Sequence, residues 1–154
     1  MIRPVGLLFA FVFVLGGVVV SGAVTTPTLV ITDEDGSERL TVPVDDGSEV
    51  TVEYTHSVER TPVSDVYIVS DGALVSDRMY FSSYGAGLPS QAAVTRDGDR
   101  YVYEPPEKQF DPLVVSTGNI AGHELIVDEE RYDLVEAAES GTVSIRVENR
   151  WRGT

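Results

Sequence analysis

The chain has two histidines, His56 and His123, and neither stands in a ready-made catalytic or metal-binding motif. His56 lies in the stretch Val52–Val63, VEYTHSVERTPV, with Ser57, Glu59 and Arg60 beside it and Asp65 just beyond. A second concentration of unusual residues is Tyr84-Gly85-Ala86-Gly87-Leu88-Pro89. His56 and Ser57 are adjacent, so on a strand they face opposite sides and cannot act as a base and nucleophile pair. A serine hydrolase would need Ser82, Ser83 or Ser90 brought to His56, and no G-x-S-x-G elbow is present. Gly85-x-Gly87 is too short for a phosphate loop and opens no helix. Two imidazoles with Asp65 or Glu59 would suit zinc or another transition metal. The histidines fall on separate predicted strands, however, and no spacing joins them, so no metal and no cofactor is assigned.

What the residues do support is a polar binding cluster without a catalytic member: His56, Ser57, Glu59, Arg60, Asp65, Tyr84, Gly85, Gly87 and His123. A carboxylate near His56 would raise the imidazole pKa and fix its tautomer. Backbone N–H groups of the glycine loop would suit an anion. The plainer alternative makes His56 a hydrogen-bonded core histidine, Gly85 and Gly87 turn glycines, and His123, between Gly122 and Glu124, structural.

The elements that must position these groups are strands. Val50, Val52, Tyr54 and His56 alternate with Thr51, Glu53, Thr55 and Ser57, which puts His56 on the core face at a strand end. Pro62 interrupts the pattern, Val63–Ser70 resumes it, and Asp71-Gly72 turns the chain into Leu74–Tyr84. Asp35-Gly36 and Asp97-Gly98 mark further hairpins. Thr25–Thr28 reads as a short tether and Glu104–Pro112, with three prolines, as a loop. Leu113–Thr117 and His123–Asp128 read as short strands. Asp133 and Glu136 are spaced like a capping box opening one or two helical turns. Val143, Ile145, Val147 and Trp151 form one inward set. Strands about ten residues apart, with no long helix after Val24, predict an all-β fold, an antiparallel β-sandwich or barrel-like domain spanning residues 25–154.

The first 24 residues differ from the rest. Val5–Val24 carries no charge, Ser21 is its one polar side chain, and Arg3 precedes it. Twenty such residues as a helix span about 30 Å, the thickness of a bilayer's hydrocarbon core. Ser21-Gly22-Ala23 also offers a small-residue cleavage site, so residues 1–24 are an N-terminal anchor or a signal peptide. Either way the domain lies outside the membrane, single-pass if uncleaved, secreted if cleaved after Ala23.

Twenty-five acidic residues stand against eleven basic ones, for a formal net charge of −14, and Lys108 is the only lysine. Such a surface repels nucleic acid and anionic lipid headgroups. There is no cysteine, so disulfides and thiolate metal sites are excluded.

Tyr54-Thr55-His56-Ser57-Val58-Glu59, Thr61-Pro62-Val63 with acidic Asp65, and Phe81 followed by Tyr84–Pro89 together resemble the domain-of-unknown-function family DUF1850. Gly118–Leu125, with Ala121 and His123, is similar to that family's later glycine–histidine segment. Arg60 stands where lysine is more usual and Asp65 where glutamate is. The resemblance implies a small exported protein encoded beside TRAP transporters of the TAXI subclass, with the permease or its solute-binding protein as partner and no established activity. With the acidic bias it implies a haloarchaeal member. The functional expectation is a membrane-anchored extracytoplasmic accessory or binding module. The alternative is a small extracytoplasmic hydrolase or metal-binding enzyme using His56, and a purely structural envelope role is a third.

A surface this acidic is loosened by its own repulsion at low ionic strength and tightened by screening. The thermal midpoint of the purified protein is therefore expected to rise steeply between dilute buffer and molar KCl. A midpoint independent of salt would rule out adaptation to high salt.

Overall fold

The computed structural model describes residues 25–83, 93–139 and 141–151. The predicted N-terminal anchor or signal peptide and the Tyr84–Pro89 segment lie outside these residues. The described chain forms twelve strands and one helical turn. In order they are β1 (Thr25–Thr32), β2 (Glu38–Pro43), β3 (Glu49–Thr55), β4 (Pro62–Ser70), β5 (Ala73–Phe81), β6 (Val94–Asp97), β7 (Arg100–Tyr103), β8 (Gln109–Phe110), β9 (Leu113–Ser116), β10 (Glu124–Val127), β11 (Glu130–Asp133), α1 (Leu134–Ala137) and β12 (Thr142–Trp151).

All pairings are antiparallel, and they make two sheets of unequal size. The smaller has the order β2-β1-β12-β9; the larger runs β11-β10-β3-β4-β5-β7-β6, with β8 paired to β5. The fold is thus an all-β sandwich. Alternation decides which side chains meet between the sheets. Leu29 and Ile31 of β1 and Val143 and Ile145 of β12 come from the small sheet. Val50 and Val52 of β3, Leu125 and Val127 of β10, and Leu74 of β5 come from the large one. Leu134 of α1 completes this core.

The large sheet carries a second, smaller cluster. Val63 and Phe81 are fully buried there, with Tyr54, Met79, Val94, Tyr101 and Tyr103 packed around them. None of these belongs to the small sheet. Phe81 and Tyr101 stack with ring centroids 5.5 Å apart. Part of the large sheet's inner face is therefore covered by its own aromatic side chains instead of by an opposing sheet.

Turn chemistry follows residue type at most corners. After β1, the buried carboxylate of Asp33 accepts from the N–H groups of Asp35 (3.0 Å) and Ser37 (2.8 Å) and from Arg39 Nε (2.6 Å), and Gly36 takes a positive φ of 79°. Asp71 and Gly72, both at positive φ, close the β4–β5 hairpin as a type I′ turn requires. Asp133 caps α1 by accepting from Val135 N (2.8 Å) and Glu136 N (3.0 Å).

Three expectations need correction, and one hairpin was not expected. Thr25–Thr28 is not a tether but the first half of β1, held by its ladder to Trp151–Glu148 of β12. Residues 104–112 are not wholly loop, since Gln109 and Phe110 pair with Val75 and Leu74. The unexpected hairpin is β10–β11, which carries no glycine signal because Asp128 and Glu129 themselves adopt positive φ. Trp151 keeps the inward parity of β12 but is 70% exposed, because the end of that strand runs past the core.

Candidate functional site

Five of the nine predicted site residues come from two adjoining pieces, the β3–β4 loop at residues 56–61 and the strand that follows. The loop is closed by its own backbone: His56 N–H donates to Thr61 O (2.9 Å), and Arg60 N–H donates to His56 O (2.8 Å). The His56 ring takes part, because Nδ1 accepts from Glu59 N–H at 3.2 Å. That bond keeps a lone pair on Nδ1 and favours the tautomer protonated at Nε2. Arg60 completes the turn at φ 54°, a left-handed conformation uncommon for a non-glycine residue. His56 is buried, while Ser57, Glu59 and Arg60 face solvent.

The loop's far side meets the end of β5. Thr61 Oγ1 and Ser83 Oγ lie 3.2 Å apart. Tyr84, Gly85 and Gly87, which follow Ser83, lie outside the described residues. A third segment arrives from the β9–β10 connection. Gly118 O accepts from Ala121 N–H and Gly122 N–H, and Ala121 O accepts from Thr55 N–H at 2.7 Å. This turn sets His123 on β3, where its ring stacks on Tyr54 at 5.1 Å between centroids. Burial holds the His123 pKa below the usual histidine value, which favours the neutral ring.

Asp65 has a different setting from the loop residues. Ladder register puts it opposite Val52 on one side and Met79 on the other. It therefore points to the same face as Val50, Val52 and Tyr54, where the alternation Val63-x-Asp65-x-Tyr67 would otherwise call for an apolar side chain. Burial pushes its carboxyl up to about 6, against a hydrogen bond from Tyr54 that favours the ionised form. Tyr54 is pushed up to about 12, first by burial and then by the Asp65 charge and their hydrogen bond. Tyr67 is also raised, by burial and then by the charge of Asp65. Tyr54 thus joins two predicted site residues, with its ring against His123 and its hydroxyl toward Asp65.

Asp65 also lines a cavity of about 570 Å³ between β4, β5 and the 105–110 segment. Tyr67, Met79, Pro105, Pro106 and Phe110 supply its apolar wall. Lys108 lies at the cavity with its ammonium over the Phe110 ring at 4.7 Å, and Arg78 lines the β5 side. Sequence reasoning missed this cavity. The alternation of β4 carries a usable signal for Asp65, but the 105–110 wall depends on the pairing of β8 with β5, which leaves no local pattern. Among the described residues, no group of three or more His, Asp and Glu side chains could hold a metal ion.

The family model described as "Domain of unknown function (DUF1850)" matches residues 50–134, more than half of the chain. The match begins in β3 and ends at the start of α1, so it includes the loop, Asp65, the 105–110 wall and His123. No curated protein and no solved structure matches the chain.

Protonation of Asp65 favours the folded state, because its folded pKa of about 6 lies above the ordinary value of 3.8. That stabilisation is complete below about pH 3.8 and is lost as pH rises through about 6. The charged and titratable groups around it are Tyr54 on β3, Tyr67 on β4, Arg78 on β5, and Glu107 and Lys108 beyond β7. Asp65→Asn is expected to melt higher than wild type at pH 7.5, by on the order of 2–3 kcal/mol in stability, with the gap closing near pH 4. Thermal melts of both proteins across that range check this, and a gap that does not change with pH would contradict it.

Proposed function

The chain belongs to the DUF1850 family, and from that premise we propose that it is a membrane-anchored extracytoplasmic binding module that docks with the solute-binding protein of a TRAP transporter of the TAXI subclass. The observation that carries this reading is the convergence of separate chain segments at one end of the sandwich. The 56–61 loop, Ser83 at the end of β5 and the 118–123 turn all meet there through the Thr61–Ser83 and Thr55–Ala121 contacts. Val58 on the loop is 67% exposed and Ile120 on the turn 88% exposed. Two large apolar side chains held out to solvent by hydrogen-bonded turns suit a protein contact.

The far end of the sandwich is where the chain enters. Thr25 pairs with Trp151, while Thr142, at the other end of β12, pairs with Ser116 next to the 118–123 turn. A ten-residue strand spans about 30 Å. With residues 5–24 anchored in a bilayer, that end of β1 lies at the membrane and the loops face away from it. This favours the soluble component of the transporter over its permease. The acidic surface fits a haloarchaeal setting, where high salt screens its repulsion.

The test is co-purification from native membranes under high salt with the full chain tagged. The double substitution Val58→Asp with Ile120→Asp is expected to lose the solute-binding protein, while Trp151→Ala, at the opposite end, retains it. Retention at wild-type level by a folded double variant would refute the reading.

A further inference from the structure

We propose that the cavity lined by Asp65 binds an organic ammonium carrying an aromatic or branched apolar body. This goes beyond docking at the loop end, and it stands on different residues. The described arginines show why Asp65 is available. Arg39 engages Asp33 and Glu139, Arg78 engages Glu49 and Asp77, Arg131 engages Glu53 and Glu124, and Arg150 engages Glu38 and Glu148. Among the described residues no ion pair reaches Asp65, whose hydrogen-bonding neighbour is the uncharged Tyr54.

A carboxylate withdrawn from water without a cation is costly to ionise, and a ligand ammonium would supply the missing partner. The walls define the rest of the ligand. Tyr67, Met79, Pro105, Pro106 and Phe110 offer apolar surface, and about 570 Å³ is within the size of a small-molecule site. Arg78 does not oppose a cation strongly, since Glu49 and Asp77 already neutralise it. Lys108 sits over the Phe110 ring. The lining is balanced in charge, since Glu107 adds a second carboxylate to Asp65 against Arg78 and Lys108.

The probe is tyramine, with 4-ethylphenol, the same body lacking the amine, as the neutral control. Titration calorimetry on the full chain is paired with the methyl signal of Met79, which shares the chain with only one other methionine. Tyramine is expected to bind with a dissociation constant below about 1 mM and to shift the Met79 methyl. The control and the Asp65→Asn variant are each expected to bind at least about tenfold more weakly. The 4-ethylphenol comparison uses wild-type protein and so does not depend on the variant folding. No heat and no Met79 shift at 10 mM tyramine would overturn the proposal. Equal binding of tyramine and 4-ethylphenol, or equal binding by wild type and Asp65→Asn, would also overturn it. None of these outcomes bears on docking at the loop end, which the co-purification reads separately.

Discussion

One constraint shapes the half of the molecule that carries the candidate site: β4 must present Asp65 on the inner face of the large sheet. The pairings Val52–Asp65 and Asp65–Met79 leave it no other side, because a shift of one residue would turn Val63 and Val69 outward as well. Those two valines are fully buried, so the hydrophobic gain of the strand fixes the register and the carboxylate must follow. The small sheet contributes nothing to the cluster around Phe81 and Val63, and the space beside Asp65 is bounded instead by the 105–110 segment. A half-buried acid, a tyrosine hydroxyl and an open cavity are consequences of that single register.

The charge balance bears on the same point. With twenty-five acidic side chains against eleven basic ones, cations are scarce, and four arginines each hold two carboxylates. Exposed pairs of this kind contribute little individually. They do show where the positive charge is committed, which is across strand surfaces and turns. Asp33 illustrates the contrast with Asp65: it is buried where Asp65 is half-buried, and it is satisfied by two backbone N–H groups and Arg39, so it serves as a turn residue. The two aspartates thus differ in their partners: Asp33 is held by backbone N–H groups and a guanidinium, Asp65 by a tyrosine hydroxyl.

Much of the architecture was legible in the sequence, because period-two alternation and Asp-Gly or capping-box spacings are local signals. They gave the strands around His56, the hairpins at Gly36 and Gly72, and the turn at Asp133. What could not be read depended on partners far along the chain. Thr25–Thr28 looks like a linker until β12 pairs with it, and Gln109-Phe110 looks like loop until β5 does. The Asp128-Glu129 turn puts a glutamate at positive φ where glycine is usual, so its hairpin lacks the Asp-Gly mark. At the site, the alternation correctly gave His56 its inward face. Tyr54, which was not among the predicted site residues, faces Asp65 and stacks on His123. The cavity wall lay in the stretch whose prolines conceal its two-residue ladder with β5.

Among the described residues Asp65 is a partly withdrawn carboxylate without a cationic partner, and its side-chain carboxyl carbon reports that state directly. Titrating this carbon by NMR in the full chain should give a midpoint near 6, well above the ordinary value of 3.8, and replacing Tyr54 with Phe should raise it further. A midpoint at or below 3.8 would mean that solvent or a cation already satisfies Asp65, and the reading of this face of the sheet as a binding site would fail.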